Sequence, residues 1–527
     1  MPTLRPLARA AFVALSALSV LIAPAHANSP VVIAPGEAAP PSFLPPVWPS
    51  AAAPDTFTRD RAALHRATDA QAKAGTPRFQ APSAQSCRRP IRTHEEPGAQ
   101  AIAHTARTAP GGRVRAGGLA RPGVTLESAA PMPAPAAPAD AVMDRATVES
   151  TTGAVAAPPA GKPAAAQATH GAARARHVQI AGGEPVTAGV VDDNAQFTDY
   201  LAFRQRTLVE HRTRDVRDRV LLQVRDPRGR AVPDAEVAVR ASGGAIAWAR
   251  TDTAGRAWIA PSAFDPKANQ AYEVTVRRGA AQSAVVFLRG QQSTVDVTLD
   301  ARLPAQRAQL DLVFLIDATG SMGDEIAKLK ATLRTIADEV ARLPSRPDTC
   351  FGLVAYRDKT DEFLLRSHDF TGDLGAFQKV LDQLQADGGG DEPEAMNEAL
   401  YEAVHALSWR GNGATRLMVL LADAPPHLDY AGPQYDESMA AALGKGIKVF
   451  SVGASGLNKQ GEFIQRQIAQ YTGGRFVFLT YADARNPASG PGRQTVHDVT
   501  NYSVDTLDRL IVRLVSDELA QLPPPRS

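Results

Sequence analysis

The chain has 527 residues, enough for about three units at roughly 150 residues each. Its 57 Lys+Arg against 55 Asp+Glu leave a formal net charge of +2, which excludes a strongly basic nucleic-acid binder and a strongly acidic tail protein. Hydrophobic residues make up 44%, but residues 1–177 hold 24 of the 41 prolines and 48 alanines, so most burial falls to the C-terminal two thirds.

Residues 1–27 read as a secretory signal peptide. Arg5 and Arg9 precede an apolar run at 10–23, and Ala25-His26-Ala27 sets small residues before Asn28. That run is shorter than the ~20 residues a membrane span needs, and no later run approaches that length. A periplasmic or secreted bacterial protein with no transmembrane segment after cleavage is expected. Residues 28–177 mix Pro, Ala, Gly and Arg without a period of 2 or 3.6, which predicts a disordered linker. The two cysteines, Cys87 and Cys350, make no disulfide framework and no C-x-x-C pair. Cys87 lies in the expected linker and Cys350 opens an apolar run, so a buried free thiol is expected at 350; a Cys87–Cys350 bond is the alternative.

Residues 178–217 form a lead-in. Asp192-Asp193-Asn194 lacks the further spaced oxygens of a calcium loop and reads as a turn and helix cap, with Phe197, Tyr200 and Leu201 on one face packing towards the next domain. Residues 218–302 change to short alternating runs at 220–224, 236–239, 245–248, 272–276, 284–288 and 294–299, separated by turns such as Asp226-Pro227-Arg228-Gly229. That spacing predicts an all-β sandwich. Its stretches D-P-R-G-R-A-V-P-D-A-E-V, T-D-T-A-G-R-A and Y-E-V-T-V resemble carboxypeptidase-regulatory-like (transthyretin-like) modules, a resemblance that implies a spacer.

From 308 to 522 strands and helices alternate. Apolar runs at 310–316, 350–356, 416–422, 448–452 and 476–479 read as strands, with a further short one at 362–365. Helices are expected at 321–343, 374–384, 394–407, 460–471 and 504–519. Continuous apolar strands between amphipathic helices predict a doubly wound, mostly parallel α/β sheet, with function at the carboxyl ends of its strands.

Two of these strands end in aspartate, Asp317 and Asp423. Asp317-Ala318-Thr319-Gly320-Ser321 adds two hydroxyls, and Gly388-Gly389-Gly390-Asp391-Glu392-Pro393-Glu394 adds acids from another loop. An all-oxygen set of this kind suits a hard divalent cation. The plainer alternative makes Asp317 a helix N-cap supported by Thr319 and Ser321. His427 is a further candidate, as a base near a metal-bound water or as a packing residue. No dinucleotide fingerprint, Walker A sequence or nucleophile elbow is present, so an enzyme is not expected and a metal-assisted hydrolase is the weaker reading.

On these residues the segment resembles the von Willebrand factor A domain, most closely its hemicentin-like subgroup. Asp317, Thr319 and Ser321 match the first loop of the family's metal-ion-dependent adhesion site, Thr standing for the leading Ser. Asp423 matches the third loop, and Asp391 stands where Thr is usual on the second. The resemblance implies that Thr319, Ser321 and Asp391 hold Mg²⁺ (or Mn²⁺ or Ca²⁺) directly, with Asp317 and Asp423 acting largely through water. It further implies a protein ligand offering an acidic side chain; the alternative is a structural or assembly protein with an architectural metal.

Overall fold

The computed structural model describes residues 46, 48, 87, 91–100, 185–301, 307–390, 392–411 and 413–522, with Asp324 and Glu325 by backbone alone. The signal-peptide residues, most of 28–177 and Asp391 lie outside the described residues. No helix among those described is long and apolar enough to cross a membrane.

The first described strands are β1 (Thr93–Pro97) and β2 (Thr187–Val191), followed by helix α1 (Phe197–Arg206). Seven strands come next: β3 (Val220–Arg225), β4 (Glu236–Ala241), β5 (Ile246–Arg250), β6 (Arg256–Ile259), β7 (Ala271–Arg278), β8 (Ala281–Leu288) and β9 (Thr294–Thr298), with the short helix α2 (Pro261–Phe264) after β6. They make a three-stranded sheet ordered β6-β3-β9 and a four-stranded sheet ordered β5-β4-β7-β8. Alternate residues of both sheets, among them Leu222, Val224, Val237, Val239, Tyr272 and Val274, meet in one apolar cluster.

The remainder supplies β10 (Gln309–Asp317), α3 (Gly323–Ala341), β11 (Asp348–Tyr356), β12 (Phe363–Thr371), α4 (Leu374–Gln383), α5 (Met396–His405), β13 (Ala414–Ala422), α6 (Tyr435–Lys445), β14 (Ile447–Gly453), α7 (Lys459–Tyr471), β15 (Phe476–Asp483), β16 (Asn486–Pro491), β17 (Ser503–Thr506) and α8 (Leu507–Ala520). A ten-stranded sheet runs β1-β12-β11-β10-β13-β14-β15-β2-β17, with β16 on β15. Its centre, from β11 through β15, is parallel; the flanking pairs are antiparallel.

The apolar strands are explained by burial on both faces. Leu312, Phe314 and Ile316 point to one side, where α3, α4 and α8 bring Leu329, Leu333, Phe377, Leu381, Leu510 and Leu514. Val313 and Leu315 point to the other, against α1, α5, α6 and α7 through Phe203, Leu400, Met439, Phe463 and Ile464. Each such side chain contributes about 1.5–3 kcal/mol by leaving water. β10 is the first strand of this alternating unit; β11 follows on one side and β13 on the other. The strand order therefore reverses between β10 and β13, which opens a crevice at their carboxyl ends.

Three expectations are corrected. The segment 28–177 is not wholly a linker: Thr93–Pro97 pairs antiparallel with β12, Trp48 packs edge-on to Trp248 at 5.6 Å, and Cys87 is bonded to Cys350 with their Cα atoms 5.5 Å apart. Cys350 is therefore not a free thiol. The strand reads T-H-E-E-P, which has no apolar period. It is held by edge hydrogen bonds and by the pairs Glu95–Arg366 and Arg92–Asp369, which periodicity does not register. The lead-in does more than approach the β module: Phe197 meets Arg219 at the module's start, but β2 inserts between β15 and β17 of the large sheet, and Phe203 stacks on Phe463 at 5.8 Å.

Candidate metal centre

Three adjacent strands deliver polar side chains to one spot. β10 ends at Asp317, β11 ends at Tyr356, and Asp423 directly follows β13. Asp317 is fully buried, Thr319 is fully buried, and Asp423 is only 5% exposed. Asp317 Oδ1 accepts from the Thr319 amide at 3.1 Å and from its hydroxyl at 2.7 Å; Thr319 Oγ1 lies 3.1 Å from Ser321 Oγ. This is an Asx turn. The short 3₁₀ turn Gly320–Met322 and helix α3 start without a side-chain cap, so Asp317 is not the N-cap that the plainer reading supposed.

The second loop is pressed onto the first. The Gly320 amide donates to the Gly388 carbonyl at 3.0 Å, and a Cβ on Gly320 would lie 2.7 Å from that oxygen. Gly388 and Gly389 adopt φ of +75° and +67°, a region open to glycine at little steric cost. The third loop joins through the Glu394 amide, which donates to the Pro425 carbonyl at 3.0 Å, and through Asn397 Nδ2, which donates to the His427 carbonyl at 2.5 Å.

Buried acids accumulate here, offset only in part by nearby hydroxyls and an amide. Asp317 Oδ2, Asp423 Oδ1, Glu394 Oε2 and the Tyr356 hydroxyl are buried and have no hydrogen-bond partner among the described residues. Burial raises the Asp317 carboxyl, with Asp423 adding to it, against the opposing pull of Thr319. Burial also raises Asp423, which Glu392 reinforces and the Ser321 hydroxyl resists. Glu394 is pushed up to about 9 by burial and by Asp317, Asp358, Asp361 and Asp423. Unsatisfied buried carboxylate oxygens are costly. Together with the Thr319 and Ser321 hydroxyls they form a hard-oxygen donor set, and a divalent cation fits that chemistry.

The structure thus brings Asp317, Thr319, Ser321 and Asp423 together, while Asp391 lies outside the described residues. His427 has a carboxylate at each ring nitrogen, Asp358 Oδ1 at 2.9 Å and Asp429 Oδ1 at 3.2 Å, and packs on Tyr430 at 4.9 Å. Those contacts fix the ring as a strut between loops. From the sequence, Tyr356 reads only as the end of an apolar strand, and Glu394 only as one of the second-loop acids with no role of its own. The apolar run ending at Tyr356 and the acids clustered after Gly390 were the available signals. A second grouping, Cys87, Asp311 and Cys350, has donor atoms within 4.8 Å of one another. Its cysteines are bonded to each other and Asp311 is committed to Arg410 at 2.6 Å, so it offers no ligand set in this state.

The sequence pattern of the von Willebrand factor A domain matches residues 311–480. Among curated proteins, the chain is 29% identical over 119 residues, 22% of its own length and 19% of the relative's, to alpha-protein kinase vwkA of Dictyostelium discoideum. It is 36% identical over 93 residues, 18% of the chain and 10% of the relative, to von Willebrand factor A domain-containing protein 7 of Mus musculus. The chain therefore spans a fifth or less of these relatives. Among solved structures, the pilus adhesin SpaC of Lactobacillus rhamnosus GG in its open conformation aligns at 15% identity over 39% of this chain and 29% of that one, with a TM-score of 0.25. Sheet order, the convergence of loops after β10 and β13, and the matched pattern agree: residues 311–480 are a von Willebrand factor A domain.

Proposed function

We propose that this chain is a binding protein whose A domain holds a divalent cation, Mg²⁺ by preference, at a metal-ion-dependent adhesion site, and that a partner protein docks on that end of the sheet. One observation carries the reading. Buried oxygens of Asp317 and Asp423 stand unpartnered among the described residues, near the Thr319 and Ser321 hydroxyls, where the strand order reverses. Asp391 would complete the set from the second loop. The cation, when bound, supplies a Lewis-acidic centre for an oxygen donor of the partner, an acidic side chain in the family's manner. Asp317 orients Thr319, the glycine loop holds the second segment against the first, and Tyr356 closes the floor.

Export through residues 1–27, with periplasmic or extracellular residence, fits this role, and a disulfide between Cys87 and Cys350 favours an oxidising compartment. The carboxypeptidase-regulatory-like module would act as a spacer and support, and the hemicentin-like variant of the site as its second-loop specialisation. Binding rather than catalysis is the function we infer, since the hydroxyl and carboxylate oxygens at the site suit cation donors. The test is capture of partners by the immobilised full chain from its native envelope, cross-linked with Mg²⁺ or with chelator. Partners retained only with Mg²⁺, and lost in Asp317→Ala, support the reading. Capture that ignores both chelator and substitution contradicts it and favours a structural or assembly protein.

A further inference from the structure

Glu394 is a buried acid at the end of the second loop. Only 2% exposed, it has one carboxylate oxygen, Oε2, with no hydrogen-bond partner among the described residues. Its other oxygen flanks the glycine loop: a Cβ on Gly389 would lie 3.1 Å from Glu394 Oε1 and 3.1 Å from Thr319 Cβ. Its backbone is fixed to the third loop through the Pro425 carbonyl at 3.0 Å. The side chain therefore lies against the glycine loop on the side that also faces Thr319, within the electrostatic reach of Asp317 and Asp423.

We propose that Glu394 is an internal carboxylate donor to the same cation, supplied from the end of the second loop. The inference rests on the cation-binding reading above and deepens it. An ion already held by an internal acid is more tightly enclosed and less positive towards the outside. A partner's carboxylate then meets a less positive ion, so this side chain tunes ligand engagement. A buried acid among other acids is relieved by a proton or by a cation, and the hydroxyl and carboxylate oxygens around it suit the cation.

The test titrates Mg²⁺ and Mn²⁺ calorimetrically into the chelator-stripped full chain, wild type against Glu394→Gln and Glu394→Asp. Melting temperatures in chelator confirm that each variant is folded. Glu394→Gln keeps the volume and removes the charge; Glu394→Asp keeps the charge and withdraws the reach. The expected result is a loss of about tenfold or more in affinity for both variants. It should come with a rise in the water-proton relaxation caused by bound Mn²⁺ as solvent replaces the lost donor. Wild-type affinity in both variants overturns the role of Glu394 while leaving the cation site standing. If the wild-type chain takes up no ion, the cation reading falls, and this inference falls with it. A variant that fails to fold in chelator shifts the decision to the other, and Glu394→Asp alone decides it: undiminished affinity there overturns the proposal.

Discussion

Asp361 receives the Gly389 amide on both carboxylate oxygens at 3.0 Å, and the same carboxylate takes the Asp358 amide at 3.0 Å. A Cβ on Gly388 would lie 2.3 Å from Asp361 Oδ1, so the glycine is required where the acid is. One buried carboxylate thus shapes the second loop without belonging to the donor set.

Asp361→Ala should leave the sheet intact and loosen that loop. The orphaned amide costs about 1–3 kcal/mol. Mg²⁺ affinity should fall several-fold while the far-ultraviolet circular dichroism is unchanged. Equal affinity in the variant would show that the loop holds its shape without Asp361.

The strand β1 and the Cys87–Cys350 bond cover the open edge of β12, which would otherwise present unpaired backbone groups. The bond closes a span of 263 residues. Removing a bond of this kind costs about 2–5 kcal/mol. Cys87→Ala, or removal of everything before residue 185, should therefore lower the melting temperature and promote concentration-dependent association. A truncated chain that melts with the full one and stays monomeric would show the edge strand to be dispensable.

At the opposite end of the sheet, the β module is locked to the A domain by Asp234. Its carboxylate pairs with Arg250 at 2.9 Å, Arg416 at 2.9 Å and Arg278 at 3.0 Å, and it is 7% exposed. Burial alone would raise its pKa; Arg250, Arg416, Arg278 and the Gly413 amide more than reverse that and hold it well below the carboxylate range. Because the folded value lies below the unfolded one of about 3.9, the stabilisation is complete above that pH and is lost as pH falls towards the folded value. Asp234→Asn suits the φ of +54° at this position yet removes the charge, at a cost of about 3–5 kcal/mol near neutrality. Thermal melts from pH 7 to pH 3 should show the wild type losing its advantage on acidification while the variant changes less. Parallel curves would mean that the cluster does not stabilise through Asp234 ionisation.

Much of the A domain was legible because its strands are buried on both faces and its helices on one, which leaves strong patterns in 310–316 and 416–422. The first and third loops were legible because Asp317 and Asp423 end such strands. What escaped was information that has no period. β1 is polar and held by ion pairs; β2 is five residues of Thr, Ala, Gly and Val whose partners lie far along the chain. Helix α6 carries a mixed sequence, buried through Tyr435, Met439 and Lys445 rather than along a clean apolar stripe. Glu394 read as the start of a helix, whereas α5 begins at Met396 and Glu394 stays in the loop with its acid turned inward. A carboxylate's burial depends on three loops meeting, and no single stretch of sequence encodes that.

A cation site formed by Asp317, Thr319, Ser321 and Asp423 on a pre-built sheet must lose its ion when Asp317 is removed. Calorimetric titration of Mg²⁺ into the chelator-stripped chain, wild type beside Asp317→Ala, measures this. One saturable ion is expected on the wild type and none on Asp317→Ala, with near-equal melting temperatures for the two in chelator. Ion uptake by Asp317→Ala with wild-type affinity would rule this site out.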